Sequence, residues 1–478
     1  MSSAPGPVMP LTLLRILAFS ATSLPISAIN ISMSVYLPRH FASHAGLELA
    51  LVGMAFFIVR MIDIPVDGLL GLFMDKTKTK WGRYRVWTIA GAPFLMIGVL
   101  AMFFAPPSVG LPYLVMGLLI VYLGQSMLDL SHRAWAVTLA PTYNDRSRVF
   151  GALTAVGLCG GASVILIPVI TEALGGSDAG NVSIMGWWIL ALAPISTAVL
   201  VLSTLERIVP TPSDHGVRFS DYISVLKRPT FLRIAACDLA LTFGTGWTSA
   251  VYLFYFTDSR GFTTGQASIL LATYILAGIA GSPLMGKLAT IFSKHRTTIF
   301  SVVGYGVCLL AMPFIPQGNL TIGFAVLFVT GIFASGFNVL TKAMTADAAD
   351  EIRLHQNRER SALLYAVTTM TNKVSSAISV GVTFTVLAWM GYNAQDGATN
   401  SPQAIDNLQI VYLAGPLVFC ALGALTMVGY RLGPQQHAEI RRALDERDAQ
   451  YARDIDDGVV EIGLEGPAPR AVPGRDPA

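Results

Sequence analysis

Hydrophobic residues in this chain fall into long unbroken runs, and charge, glycine and proline cluster in the short intervals between them. The runs predict twelve helices, at approximately 11–37, 48–74, 86–106, 111–140, 149–173, 185–205, 230–257, 265–290, 298–316, 320–345, 361–391 and 408–432, with ends good to a few residues. Crossing a bilayer's hydrocarbon takes roughly 20 apolar residues, and longer runs fit tilted helices. An open sheet is excluded because lipid cannot satisfy free strand edges. A barrel would show short alternating segments, and these runs are long and continuous.

The positive residues sort to one side of this pattern. The loops between even and odd runs carry Lys76, Lys78, Lys80, Arg83 and Arg85, then Arg146 and Arg148, then Arg207, Arg218, Lys227 and Arg228. Lys287, Lys294, Arg296, Lys342, Arg353, Arg358 and Arg360 continue the series, and the opposite side has only Arg39 and Arg260. Positive loops stay in the cytoplasm, so both termini are expected there, in the cell (inner) membrane. The polar stretch 206–229 divides the runs six and six. The expected organisation is a six-helix bundle at 1–205, a cytoplasmic linker at 206–229, a second bundle at 230–433 and a tail at 434–478. The tail starts charged and turns Gly/Pro-rich, which predicts a short helix followed by disorder. The loop 74–85 after run two is echoed by 287–297 after run eight. The expected fold is therefore all-α, the twelve-helix major facilitator architecture, with its substrate site near the midplane between halves.

Composition agrees. Of 478 residues, 53% are hydrophobic and 13% charged, with mean hydropathy +0.59, against about 25% charged in soluble domains. Cys159, Cys237, Cys308 and Cys420 lie in apolar runs without CxxC spacing and read as small buried hydrophobes. The N-terminus lacks a signal-peptide pattern, so 11–37 reads as a retained span. No GxSxG, HExxH or P-loop occurs. An enzyme, a resident cofactor and a nucleic-acid partner are not expected. The expected partners are a small-molecule substrate and the lipid bilayer, with the chain working as a monomer.

An ionisable group at the bilayer centre costs at least roughly 2.5–3.5 kcal/mol, so the charges inside the runs need a reason. Run two holds Arg60, Asp63 and Asp67; run four Asp129, His132 and Arg133; run seven Asp238; run eleven Lys373. At about 100° per residue, Asp67 lies about 40° around the helix from Asp63 and about 6 Å along it, with Arg60 on the same stripe. Two readings fit. A shared cation, sodium or a proton, relieves the repulsion between the carboxylates; or Arg60 pairs with Asp63 to lock packing, and Asp67 faces a hydrated mouth. Asp129 and Arg133, one turn apart, form an ion pair within the helix, or Arg133 offers its fork to an anionic or hydroxylated substrate. His132 carries protons or packs. Lys373, beside Asn372, Ser375 and Ser376, reads as a cavity-wall competitor or partner of the cation. Asp238 reads as a partner of Arg233.

These residues carry a resemblance. RMIDIPVDGLLGLFMDKTKTKWGRYR (Arg60–Arg85) resembles the signature of the glycoside–pentoside–hexuronide:cation symporters, the melibiose-carrier-like family of the major facilitator superfamily. ADAADEIRLHQNRERSALL (Ala346–Leu364), then Lys373, Gly391-Tyr392 and Pro141-Thr142, add to it. The resemblance implies sodium- or proton-coupled symport by alternating access, with Asp63 and Asp67 as cation ligands, supported by Arg60 and Lys373. Asp129, His132, Arg133 and Lys373 are the candidate substrate contacts. Asp75, Arg83 and Arg85, with Asp347, Asp350, Arg358 and Arg360, are the candidate charges of a cytoplasmic gate. Sugar-binding members also use an acid in helix one, an acid and then an aromatic on helix four, and an arginine on helix five. Counting back from Pro141, this chain has Arg133 and Val137 at the helix-four positions and Leu130 at a hydroxyl position beside the cation site. Helix one has no carboxylate, and no arginine lies between Phe150 and Thr171. The solute is thus expected to be a sugar or glycoside bound differently, or an amphipathic anion such as the lysolipids carried by the similar vertebrate lysophospholipid symporters. A non-transporting membrane sensor on the same fold is the alternative from another class.

Overall fold

The computed structural model describes residues 12–107, 109–140, 143–176, 178–206, 225–356, 361–456, 460–461 and 470–471. Its helices, numbered in chain order, are α1 (Leu13–Ser43), α2 (Leu49–Lys76), α3 (Tyr84–Phe103), α4 (Leu111–Leu139), α5 (Tyr143–Ala173) and α6 (Asp178–Ser203). The second series is α7 (Pro229–Phe254), α8 (Thr264–Phe292), α9 (Lys294–Phe314), α10 (Leu320–Gln356), α11 (Ser361–Trp389) and α12 (Pro402–Met427), followed by α13 (Pro434–Asp456). The described tail beyond α13 is one short antiparallel pairing, Val460–Glu461 with Arg470–Ala471. The rest of the tail expected to be disordered lies outside the described residues, as do 207–224 of the expected linker.

Among the described residues ten helices, α1–α6, α8–α10 and α12, are long and apolar enough to cross a membrane. α7 and α11 have the length, 26 and 29 residues, but are more polar, with Asp238 and four threonines on one and Asn372, Lys373 and several hydroxyls on the other. Both sit at the seam between halves: α11 packs on α2, and α7 on a π turn in α1 (Ser32–Tyr36). Their polar faces have neighbours other than lipid, which lowers their hydropathy without removing them from the bundle.

Several helix ends differ from expectation for identifiable reasons. α1 continues through Pro38 to Ser43 because the π turn just before the proline moves aside the carbonyl that its ring would crowd. α12 starts at Pro402, where the Ser401 side chain accepts from the Ala404 N–H at 3.2 Å and proline occupies the first turn. α10 overruns its apolar stretch to Gln356, its extension held by polar contacts to α9 and α13. The loop expected at 287–297 contracts to Ser293, the single residue between α8 and α9.

Within the first half α3 packs on α4 and α6, and α1 on α5; within the second, α8 packs on α10 and α7 on α11 and α12. The halves meet along α2–α11 and α5–α8. The α2–α11 crossing depends on two glycines. A Cβ at Gly53 would lie 2.8 Å from Cβ of Phe384, and one at Gly381 2.8 Å from Cβ of Phe57.

Away from the basic loops the halves are bolted together. Tyr36 and Ser268 share a hydrogen bond of 2.9 Å, and the backbone N–H of Asp396 donates to Ser43 O at 3.1 Å. Tyr392 donates to Asp258, which also faces Arg39 at 3.9 Å. Glu172 at the end of α5 accepts from the Thr263 hydroxyl (2.6 Å) and the Gly265 N–H (3.0 Å) at the start of α8.

Candidate functional site

Asp63 is buried at 3% exposure on α2, and each of its oxygens is engaged. Oδ2 accepts from Arg60 Nη1 at 3.0 Å, one turn back, and Oδ1 accepts from Ser126 Oγ on α4 at 3.2 Å. Arg60 is held in turn by the ring of Tyr122, 4.4 Å from its guanidinium carbon. From the other half, Lys373 on α11 places Nζ 3.8 Å from Asp63 Oδ2 and in direct contact with Asp67 Oδ2. The remaining Asp67 oxygen, Oδ1, is buried and has no partner.

Arg60 thus pairs with Asp63, and Lys373 lies against both carboxylates. Two acids and two bases balance in charge, which burial requires. The oxygens of Asp63, Asp67 and Ser126 are hard donors of the kind that take an alkali or alkaline-earth ion, and a carboxylate pair can equally hold a proton. Among the described residues no group of three or more His, Cys, Asp or Glu forms a metal site.

Ser126 corrects the sequence reading. The hydroxyl beside the acids was expected to be missing at Leu130; it stands one helical turn earlier. Leu130 instead packs with Leu70, Met74 and Met127. Ser126 and Leu130 thus both face α2, one turn apart. Counted from Ser126, the acidic and aromatic positions that the resemblance implies are Asp129 and Arg133; counted from Pro141 they are Arg133 and Val137.

Asp129, His132 and Arg133 line a cavity of about 590 Å³ between α1, α4, α5 and α8. Arg133 Nε donates to Asp129 Oδ1 at 2.7 Å, so the ion pair within the helix forms, yet the Arg133 side chain stays 67% exposed and can reach a solute. His132 is 1% exposed and its Nε2 lies 2.9 Å from the Phe19 carbonyl. A carbonyl only accepts, so that nitrogen carries the proton, and the packing role is the one seen. Much of the remaining wall is aliphatic, including Ile26, Leu153, Ile275 and Leu276. Cys159 also borders the cavity and is exposed, unlike the other three cysteines. Asp238 does not pair with Arg233, whose Nη1 donates to the Val428 carbonyl at 2.9 Å.

Four of the candidate gate charges, Asp75, Arg85, Asp347 and Asp350, have partners near them in their own half or in α13. Asp75 accepts from the Tyr84 hydroxyl at 3.0 Å, and Arg85 Nη2 donates to Val201 O at 2.8 Å. Glu206, unrecognised in the sequence, accepts from the backbone N–H groups of Arg83, Tyr84 and Arg85 at 2.8–3.0 Å and so caps α3. Asp347 takes Lys294 at 2.7 Å, and Asp350 takes Arg441 of α13 at 3.3 Å. Arg358 and Arg360 lie outside the described residues. The inter-half bonds described above lie at the midplane and on the side away from the basic loops.

Residues 18–433 match the sequence family described as MFS/sugar transport protein. The isoprimeverose transporter of Lactiplantibacillus pentosus is 24% identical over 435 residues, covering 86% of this chain and 87% of that protein. The glucuronide carrier protein homolog of Escherichia coli (strain K12) is 23% identical, covering 87% and 91%. Among solved structures the nucleoside transporter NupG superposes with TM-score 0.63 at 13% identity, covering 88% of this chain and all (100%) of that one, a likeness of fold.

Proposed function

This chain belongs to the MFS/sugar transport protein family, and on that premise we propose that it is a cation-coupled symporter of a small hydroxylated solute, a sugar or glycoside. It is a multi-pass membrane transporter of the sugar-symporter type and not an enzyme. The coupling ion, sodium or a proton, and alternating access in an inner membrane with cytoplasmic termini are the further content of the proposal.

The observation that carries it is Lys373. An ammonium from the second half sits on the carboxylates of the first, where a coupling cation would sit. A cation arriving at Asp63, Asp67 and Ser126 displaces Lys373 and unties the halves at the midplane. Once the solute also binds, closing the basic side and parting the far-side bonds exposes both ligands to the opposite face. Coupling follows from differential affinity of the two faces for cation and solute. In this scheme the charges of 75–85 and 347–360 meet only when the basic side closes.

The test is uptake into proteoliposomes under an imposed sodium or proton gradient. Asp63→Asn and Asp67→Asn are each expected to abolish uphill accumulation; unchanged coupled uptake in both variants overturns the proposal. Counterflow of labelled solute separates a carrier from a silent sensor. A second reading, an amphipathic anion as cargo, is favoured by the aliphatic cavity wall ending at the exposed Arg133. It predicts competition by lysolipids and none by sugars.

A further inference from the structure

We propose that Asn30 on α1, held by Gln125 on α4, forms a hydroxyl-reading subsite of the cavity, and that Ser126 ties its occupancy to the carboxylate site. The inference rests on the reading of this chain as a carrier of hydroxylated solutes and deepens it.

Asn30 lines the cavity, and its Oδ1 accepts from Gln125 Nε2 at 2.7 Å. The other end of the Gln125 amide, Oε1, is buried without a partner. Buried polar atoms are nearly always satisfied, so an orphan amide oxygen on the partner of a cavity-lining side chain marks a place where a donor is wanted. After the one bond between the two amides, the Asn30 NH2 group is still able to donate and Gln125 Oε1 to accept. Exchanging O and N in both amides preserves that count. A carboxylate offers only acceptors and an ammonium only donors. A hydroxyl offers both, so an alcohol of a sugar or polyol completes this pair.

The backbone here is specialised. The π turn of α1 begins at Ser32, two residues past Asn30, and Ser34 Oγ donates to the carbonyls of Asn30 (2.7 Å) and Ile31 (3.3 Å). Such turns are frequent at functional sites. One turn along α1, Ser27 continues the stripe into the same cavity, and one turn along α4 stands Asp129.

Gln125 and Ser126 are consecutive, so their side chains diverge by about 100°, one toward α1 and the other toward Asp63. A hydroxyl that draws Gln125 Oε1 toward the cavity therefore sets the rotation of α4 on which the Ser126–Asp63 bond depends.

The experiment uses the full chain in nanodiscs and the methyl pyranosides of glucose, galactose, xylose and glucuronic acid, with monodeoxy analogues of the one that binds best. Asn30→Leu is expected to weaken that glycoside at least tenfold. One monodeoxy analogue should lose a similar factor in the wild type and nothing further in Asn30→Leu. Asn30→Ser, which keeps a small hydroxyl, should recover part of the loss and guards against misfolding, with melting temperature as the control. In Gln125→Leu, the factor by which sodium chloride or added protons tighten glycoside binding should collapse toward one. Wild-type affinity in both Asn30 variants, a deoxy penalty that persists in Asn30→Leu, or no wild-type binding of any pyranoside overturns the subsite. Retained coupling in Asp63→Asn and Asp67→Asn would instead remove the parent reading, whatever the Asn30 variants do.

Discussion

Asp63 receives its partners from three helices: the charges of Arg60 from α2 and Lys373 from α11, and the hydroxyl of Ser126 from α4. Ser126→Ala removes one oxygen from the site and one donor from Asp63. A hydrogen bond to a charged group contributes about 1.5–3 kcal/mol, so the half-saturating cation concentration should rise by roughly tenfold or more. Maximal transport at saturating cation should persist. Cation dependence of solute counterflow measures this, and an unchanged midpoint would remove Ser126 from the site. The acidic pair was legible in the sequence because charge inside an apolar run is costly and its spacing of four fixes a shared face. Lys373 was legible for the first reason. Ser126 was not, because serine is common in membrane helices, and only the packing of α4 on α2 selects position 126 over 130.

Glu206 shows the limit at the level of an element. Its carboxylate satisfies three N–H groups at the start of α3 from just beyond the end of α6, a helix cap contributed from far away in the chain. Glu206→Ala should cost about 1–2 kcal/mol of local stability and loosen the loop that carries Lys78 and Lys80. Limited trypsin digestion should then cut that loop several-fold faster, while the fold as a whole persists; an unchanged digestion rate contradicts the capping role. Hydropathy found the helices and missed such ends. It ended α10 where charge begins, although Lys294, His437 and Arg441 hold the extension through Asp347 and Asp350. It likewise ended α1 before Pro38, because a π turn has no hydropathy signature.

At the scale of the molecule, alternating access requires the far-side bonds to part in every cycle. Ser43 and Asp396 meet through a backbone hydrogen bond of 3.1 Å, close enough for a disulfide between cysteines placed there. Ser43→Cys with Asp396→Cys, with Cys159 replaced by alanine, should cut transport to under a tenth on oxidation and regain it with a reductant. Full transport in the cross-linked protein would exclude the rocking motion.

By itself the sequence determined the solvent of this protein, the positions of its helices, the side that bears positive charge and the carboxylates paired on one helix face. Each follows from one-dimensional patterns: hydropathy reports lipid, and a spacing of four reports a helical stripe. Tertiary structure alone decided that Lys373 sits on those carboxylates, that Ser126 donates to Asp63 and that Asp129 and Arg133 face one cavity. Those facts depend on which helix faces meet, and in which conformation, and periodicity along a single helix carries no record of its neighbour.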